Sequence, residues 1–441
     1  MDLNEQTLDF IVEAEWDTLP DNIQHQAKRC LLDTLGALIA GHSTPVAVLM
    51  NNFAKEQFKG DEAAILVKGN KLSATGATLV NGFANNALDI DDGYRNVKGH
   101  PGACILPVIL AAGEMGTDIT GKKFLTALVV GYEVAIRAGV IRHARYETYH
   151  SSGSWGAIGG AAAAGKLLGL SREKLYNALG AAEYHAPIAP MMKCIELPGM
   201  GKDSIGWGCM VAIMSVMMAD KGFTGIYPIF NESPEAEWIH SLGRVFEIMN
   251  LYFKPYCACR WAQPGVDGAL KIMAKNCLDP EDIKQIKVFT FEESATLSTN
   301  YPQNTEEAQY NIAFPIAAAL LDREVGPAQV LAPRLLDKNI HLMMDKIQII
   351  AQERFQKEFP ARAESEVELT TTRGGVFSSG VMSARWDTHS TLPTDLELEN
   401  KFLWLSSPVI GKIKAELLID HIWNFDREER LDKLFDLCII S

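Results

Sequence analysis

The sequence predicts a mainly α protein: a large all-α helical domain with a smaller α+β domain inserted toward its C-terminal end. Three observations carry this. Apolar residues recur at helical spacing in one segment after another as far as about residue 275, broken by capping residues, glycines and prolines. The texture then changes, because residues 286–291 (IKVFTF) read as a strand and 367–372 with 375–382 read as a hairpin around Arg373 and Gly374. From Asp395 to the end the pattern is helical again. A chain of 441 residues is longer than one core ordinarily serves. The expected division is therefore a helical domain over 1–268, completed by 396–441, with 269–395 as the α+β insertion.

Element by element, residues 5–16 form a short helix. The next starts at Pro20 and Asp21, carries Ile23, Ala27, Cys30, Leu31, Leu35, Leu38 and Ile39 on one face, and stops at Gly41. Residues 46–58 and 73–88 repeat the pattern, with a short strand expected over 63–67. Pro101 opens an apolar helix over 103–113, since proline suits the first helical position, and a longer helix covers 121–141. Residues 152–168 are dominated by glycine and alanine. Such small side chains let helices approach closely, which marks this helix as central. Gly160 to Lys166 also matches the start of a phosphate-binding loop, but Leu167 stands where a hydroxyl must reach magnesium and no strand precedes it. Helices over 171–184, 204–221, 263–275 and 308–321 follow, and the C-terminal helical stretch is interrupted near Pro408.

The net charge of −14 argues against nucleic-acid or anionic-membrane partners, which need basic patches. Apolar runs are broken by glycine or charge, and MDLNEQTLDFIVEAEW has neither the basic nor the apolar region of a secretory signal, so a cytoplasmic protein is expected. The eight cysteines are scattered, and Cys257 with Cys259 lacks the second pair or histidine that a metal site needs. No metal is expected.

Candidate chemistry sits in polar loops that lead into helices. Residues 84–107 hold Asp89, Asp91 and Asp92, then Tyr94, Arg95 and Lys98, and close on Gly99, His100, Pro101 and Gly102. His100 falls at the helix N-cap, where the dipole disfavours imidazolium and favours an anion, so a neutral histidine acting as general base is expected. A second loop ends in His150 and Ser151, and a third holds Lys202 and Asp203. If these helix ends converge, they form a cationic pocket suited to a di- or tricarboxylate in an otherwise acidic protein. Proton removal next to a carboxylate fits such a pocket, with His100, His150 and an aspartate of the DIDD cluster as acid and base, and Lys202 and Arg260 holding charge. Tyr94 and Ser151 of these loops, with Lys254 and Cys257 of the later segment that holds Arg260, are expected to bind substrate. The plainer reading is three unrelated helix caps in a non-enzymatic scaffold. The acid motif of protonating terpene cyclases is set aside, since it needs an aromatic-lined cavity and aromatics are 8% of this chain.

Blocks along nearly the whole chain resemble the MmgE/PrpD family: LLDTLGALIAG, NALDIDD with GHPGACILPVILAAGE, GYEV, YHSSGSWGAIGGAAAAGKLLGL, GMGKDSIGWG, FKPYCACRW, EAQYNIAFPIAAALLD and ENKF. The family includes 2-methylcitrate dehydratase, cis-aconitate decarboxylase and iminodisuccinate epimerase. The resemblance implies a helical domain with an inserted α+β lid, a site between them, a homodimer, and no metal or organic cofactor. It puts the catalytic aspartate at Asp89, two histidines at His100 and His150, and a lysine at Lys202. It also shows departures: Cys257 where some members have a third histidine, Phe314 where the decarboxylase has a tyrosine, and a loop between Asp89 and His100 one residue longer than in the decarboxylase. These weigh against decarboxylation of cis-aconitate. The expected function is a cofactor-independent lyase of the 2-methylcitrate dehydratase type acting on a small polycarboxylate, with an epimerase of an amino- or iminodicarboxylate, or a cis-aconitate decarboxylase-like activity, as the alternatives.

Overall fold

Local signals place the helices of the computed structural model, which describes residues 2–440. Asp2 accepts from the amides of Asn4 and Glu5 to start α1 (Leu3–Glu13). Next come α2 (Asp21–Gly41) and α3 (Pro45–Gln57), the latter capped by Thr44 with Pro45 at its first position. Two-residue strands β1 (Ala63–Ala64) and β2 (Lys71–Leu72) precede α4 (Ala74–Asn86), capped by Ser73. Then follow α5 (Pro101–Met115), α6 (Gly121–Arg145), α7 (Ser152–Leu167), α8 (Arg172–His185), the short α9 (Met191–Glu196) and α10 (Ile205–Asp220).

Helix α7 lies at the centre, packed on α5, α6 and α10. Its glycines are required there. A Cβ on Gly156 would fall 2.3 Å from Cys104 Sγ, and one on Gly159 would fall 2.3 Å from Ala135 Cβ. Helix α6 is long and apolar enough to cross a bilayer, contrary to the sequence expectation that no run reaches that length. Yet 94% of its apolar window is buried inside the fold, as befits a core helix. Its one buried acid, Glu133, pairs with Arg137 at 2.6 Å.

A second apolar core gathers α11 (Gln263–Asn276), α12 (Ala313–Asp322) and a four-stranded mixed sheet: β3 (Ile283–Thr290), β4 (Ile347–Ala351), β5 (Glu364–Thr371) and β6 (Val376–Ser383). The strand order is β4-β3-β5-β6, with β3 and β4 parallel from Ile286 opposite Ile347 and the other pairs antiparallel. Helix α11 packs on β5 and β6, so the expected boundary at 268 falls in the middle of a helix that belongs with the sheet. The C-terminal helices α13 (Asp395–Ile410), α14 (Lys412–Trp423) and α15 (Asp432–Cys438) return to the first core through Leu398, Phe402, Leu418 and Leu434.

Three further differences from the sequence expectation concern single elements. The strand expected over 63–67 is only two residues long. The helix expected over 308–321 is interrupted at Asn311, whose side chain accepts from the Phe314 amide and restarts the helix as α12. Strand β4 was not foreseen, because its short apolar run is half-exposed and shows no clean alternation. One placement matters most for function. Leu88 and Ile90 belong to the second core while Tyr94 and Val97 belong to the first. The aspartate-rich loop is thereby fixed at the junction of the two.

Candidate active site

Three helix ends meet around Ser152 and Asp203. The His100 amide donates to Ser152 Oγ at 3.0 Å, and Ser152 donates to Asp203 Oδ1 at 3.0 Å. The Gly153 amide donates to the Asp203 carbonyl at 2.8 Å. The N-termini of α5, α7 and α10 are thus tied into one polar centre. Beside it opens a cleft of about 80 Å³.

His100 and its carboxylates form the heart of the cleft. Nδ1 lies 2.9 Å from the Asp92 carbonyl and 3.0 Å from Asp91 Oδ2, while Nε2 lies 3.4 Å from Asp89 Oδ1. A carbonyl only accepts, so Nδ1 carries a proton. Asp91 Oδ2 stands off the N–H direction and acts as a charge partner. Burial pulls the imidazole pKa down, but Asp91 outweighs it and brings the value up to about 9. This corrects the expectation of a neutral base: His100 rests as an imidazolium. Asp91 is itself held below the usual carboxylate range, since His100 outweighs its burial, and Asn86 donates to its other oxygen at 3.0 Å.

Asp89 adopts a left-handed backbone, φ 52°. That conformation suits aspartate better than most residues. Its Oδ2 accepts from Lys254 Nζ at 2.8 Å, and both side chains are almost fully buried. The ligand atoms of Asp89, Asp91 and His100 lie within 4.8 Å of one another, a spacing that suits a divalent cation. The cluster is already neutralised by two positive groups, however, and a cation would have to displace Lys254 and the imidazolium proton. Asp92 turns the other way. It accepts from Tyr132 and from the Gly102 amide, and burial pushes its pKa up to about 7.

Arg260 stacks on the Tyr252 ring, 4.5 Å to its centroid, and donates to Asp387 at 3.0 Å and to the carbonyls of Ala384 and Arg385. Arg95 holds the same Asp387. This carboxylate therefore bridges the aspartate-rich loop and the segment before α11. Gly93 and Tyr252 exchange backbone hydrogen bonds at 3.0 and 2.9 Å and join the same two segments again.

The expected residues divide by where their side chains go. Asp89, His100, Lys254 and Arg260 line the cleft. His150 is buried beside His143 and Tyr146, with its Nδ1 unpartnered among the described residues and its pKa lowered by burial; the neighbouring Tyr149 faces the cleft instead. Lys202 donates to the Asn86 carbonyl and to Gln309, each at 2.6 Å, and Asp203 takes the lining position. Cys257 is fully buried, with Cys259 in the wall and its thiol pushed by burial up to about 12. Ser151 occupies the N-cap position of α7, but its hydroxyl makes no capping bond and is buried and unpartnered among the described residues. Tyr94 donates to Glu247 at 2.6 Å, away from the cleft. Phe314 is buried in the second core. Sequence reasoning gives no role to Tyr149, Asp203, Tyr252, Tyr310 or Asp387. Asp203 was the findable one, lying in a loop already marked as polar.

Residues 5–241 match the model of the MmgE/PrpD N-terminal domain, and residues 256–426 match that of the C-terminal domain. This chain belongs to the MmgE/PrpD family. It is 26% identical over 445 residues to the cis-aconitate decarboxylase of Homo sapiens, covering 92% of this chain and 88% of that one. It is 25% identical to the cis-aconitate decarboxylase of Mus musculus over 96% and 89%, and 23% identical to that of Aspergillus terreus over 71% and 70%.

Proposed function

We propose that this member of the family is a lyase needing no cofactor, which eliminates water from a small hydroxylated polycarboxylate by taking the proton α to a carboxylate. The carrying observation is the buried Asp89–His100–Lys254 cluster, in which an acid and a carboxylate stand 3.4 Å apart at the cleft wall. In the elimination, an Asp89 oxygen takes the α-proton and the C–H pair becomes the alkene. The β-C–O bond breaks, and His100 Nε2–H protonates the departing oxygen so that it leaves as water. The proton on Asp89 then passes to His100 Nε2 and restores the resting pair. Arg260 and Lys254 lower the cost of the carbanion-like charge on the substrate carboxylate. The cleft tyrosines 149, 252 and 310 have their phenols pushed far up by burial, which leaves them donors rather than bases.

The likeness to cis-aconitate decarboxylases favours a second reading, decarboxylation, which needs only the acid half: carbon dioxide leaves and His100 protonates the carbanion. Proton NMR with 2-methylcitrate, citrate, cis-aconitate, tartrate and iminodisuccinate separates the two. A new alkene signal from a hydroxy acid supports elimination. Itaconate from cis-aconitate supports decarboxylation, and scrambling without loss of a group supports the epimerase instead.

A further inference from the structure

Around the cleft, five lysine and arginine side chains face three aspartates in a protein of net charge −14. Most of these cations are already engaged: Arg95 and Arg260 with Asp387, Lys254 with Asp89, and Arg362 at 3.9 Å from Glu364. Lys98 is different. Its ammonium has no carboxylate within salt-bridge distance among the described residues and instead lies over two aromatic rings, 5.2 Å from the centroid of Tyr149 and 6.0 Å from that of Phe359. Those rings stand on different walls, Tyr149 just before α7 and Phe359 between β4 and β5.

The backbone makes this placement deliberate. Lys98 has φ 49°, a left-handed conformation that a lysine takes only when its surroundings impose it. Here its amide donates to the Arg95 carbonyl at 3.0 Å, its carbonyl accepts from the Tyr149 hydroxyl, and the next residue's carbonyl accepts from the Tyr94 amide at 2.9 Å. Gly99 locks the turn against α7, since a Cβ there would fall 2.5 Å from Ser152 Oγ. The side chain thus projects from a pinned turn two residues before His100, held between rings that attract a cation but accept none of its hydrogen bonds as a carboxylate would.

We propose that Lys98 is a specificity-determining residue, whose ammonium receives a substrate carboxylate remote from the reacting carbon and so restricts the enzyme to substrates with two or more carboxylates. The inference rests on the polycarboxylate reading above and deepens it. Lys98 touches no reacting atom in this scheme, so its removal acts on binding more than on turnover.

The test is calorimetric titration of the full-length protein with tricarballylate and with butyrate, for wild type, Lys98→Met and Lys98→Arg, alongside thermal melting of each. Loss of one charge-assisted contact predicts tricarballylate binding weakened roughly 10- to 100-fold in Lys98→Met. Lys98→Arg should stay within about threefold of wild type, and butyrate should not distinguish the three proteins. Equal tricarballylate affinity in wild type and Lys98→Met overturns the assignment. So does an equal loss for both ligands with a lowered melting temperature, which marks a structural role. Wild type that binds no polycarboxylate contradicts the proposed function itself, and this inference with it.

Discussion

Removing the ammonium of Lys401 should destabilise the protein more than removing Lys401 and its partner together. Lys401, on α13, donates to Asp33 of α2 and, at 2.7 Å, to the carbonyl of Ile90. Both side chains are almost fully buried. Burial holds the Asp33 carboxyl above its ordinary pKa even with Lys401 beside it, and its second oxygen has no partner among the described residues. In Lys401→Met the carboxylate is left buried and unpaired, which costs about 3–5 kcal/mol. In Asp33→Asn with Lys401→Met no uncompensated charge remains, and the cost should fall to about 1–2 kcal/mol. Urea unfolding should therefore find Lys401→Met roughly 2–3 kcal/mol less stable than the double variant, a non-additive result. The pH dependence has a fixed sign. Without Lys401 the folded-state pKa of Asp33 rises further above the unfolded value, so the destabilisation grows with pH and shrinks as the carboxyl protonates. The penalty should be smaller at pH 5 than at pH 8. Because Ile90 lies between Asp89 and Asp91, the single variant should also lose turnover. Additive single costs, or a Lys401→Met penalty below about 1 kcal/mol, would refute this reasoning.

His100 offers a second pH signature. Its folded pKa of about 9 stands above the unfolded value near 6.5, so its contribution is fully present below about pH 6.5 and is lost as pH rises through 9. The stability advantage of wild type over His100→Gln should shrink from about 3 kcal/mol toward zero between pH 6 and pH 10, followed by chemical denaturation. Gly93→Ala should cut turnover strongly, because a Cβ there would fall 2.2 Å from the Tyr252 ring on which Arg260 stacks; steady-state kinetics at fixed temperature would show it. Asp92→Asn should be tolerated to within about 1 kcal/mol. Burial penalises that carboxylate as pH rises from 4 toward 7, and the amide still has Gly102 and Tyr132 as partners.

Most helices were legible in the sequence because their caps and apolar periodicity are local properties, as with Ser73, Thr120, Ser171 and Thr394. The mixed sheet was legible only in part: the β5–β6 hairpin announces itself through Arg373 and Gly374, whereas β4 draws its pairing from β3 at long range. In the site, the loops were legible but not the direction of each side chain. Tyr149 faces the cleft rather than His150, Asp203 rather than Lys202, and Cys259 rather than Cys257, because the backbone just outside a helix N-terminus follows its tertiary contacts. His100 shows why magnitudes matter. A helix N-terminus disfavours imidazolium by no more than about 2 kcal/mol. A carboxylate about 3 Å away contributes several kcal/mol at an effective dielectric near 20, and Asp91 decides the protonation state.

The central claim is that the Asp89–His100 pair moves the α-proton of a polycarboxylate. The most direct measurement is deuterium incorporation in D₂O, comparing wild type with Asp89→Asn and His100→Gln on whichever panel compound wild type converts. The account predicts wash-in or product deuteration by wild type that falls at least 100-fold in both variants while tricarballylate still binds. Exchange at the wild-type rate in either variant would contradict it.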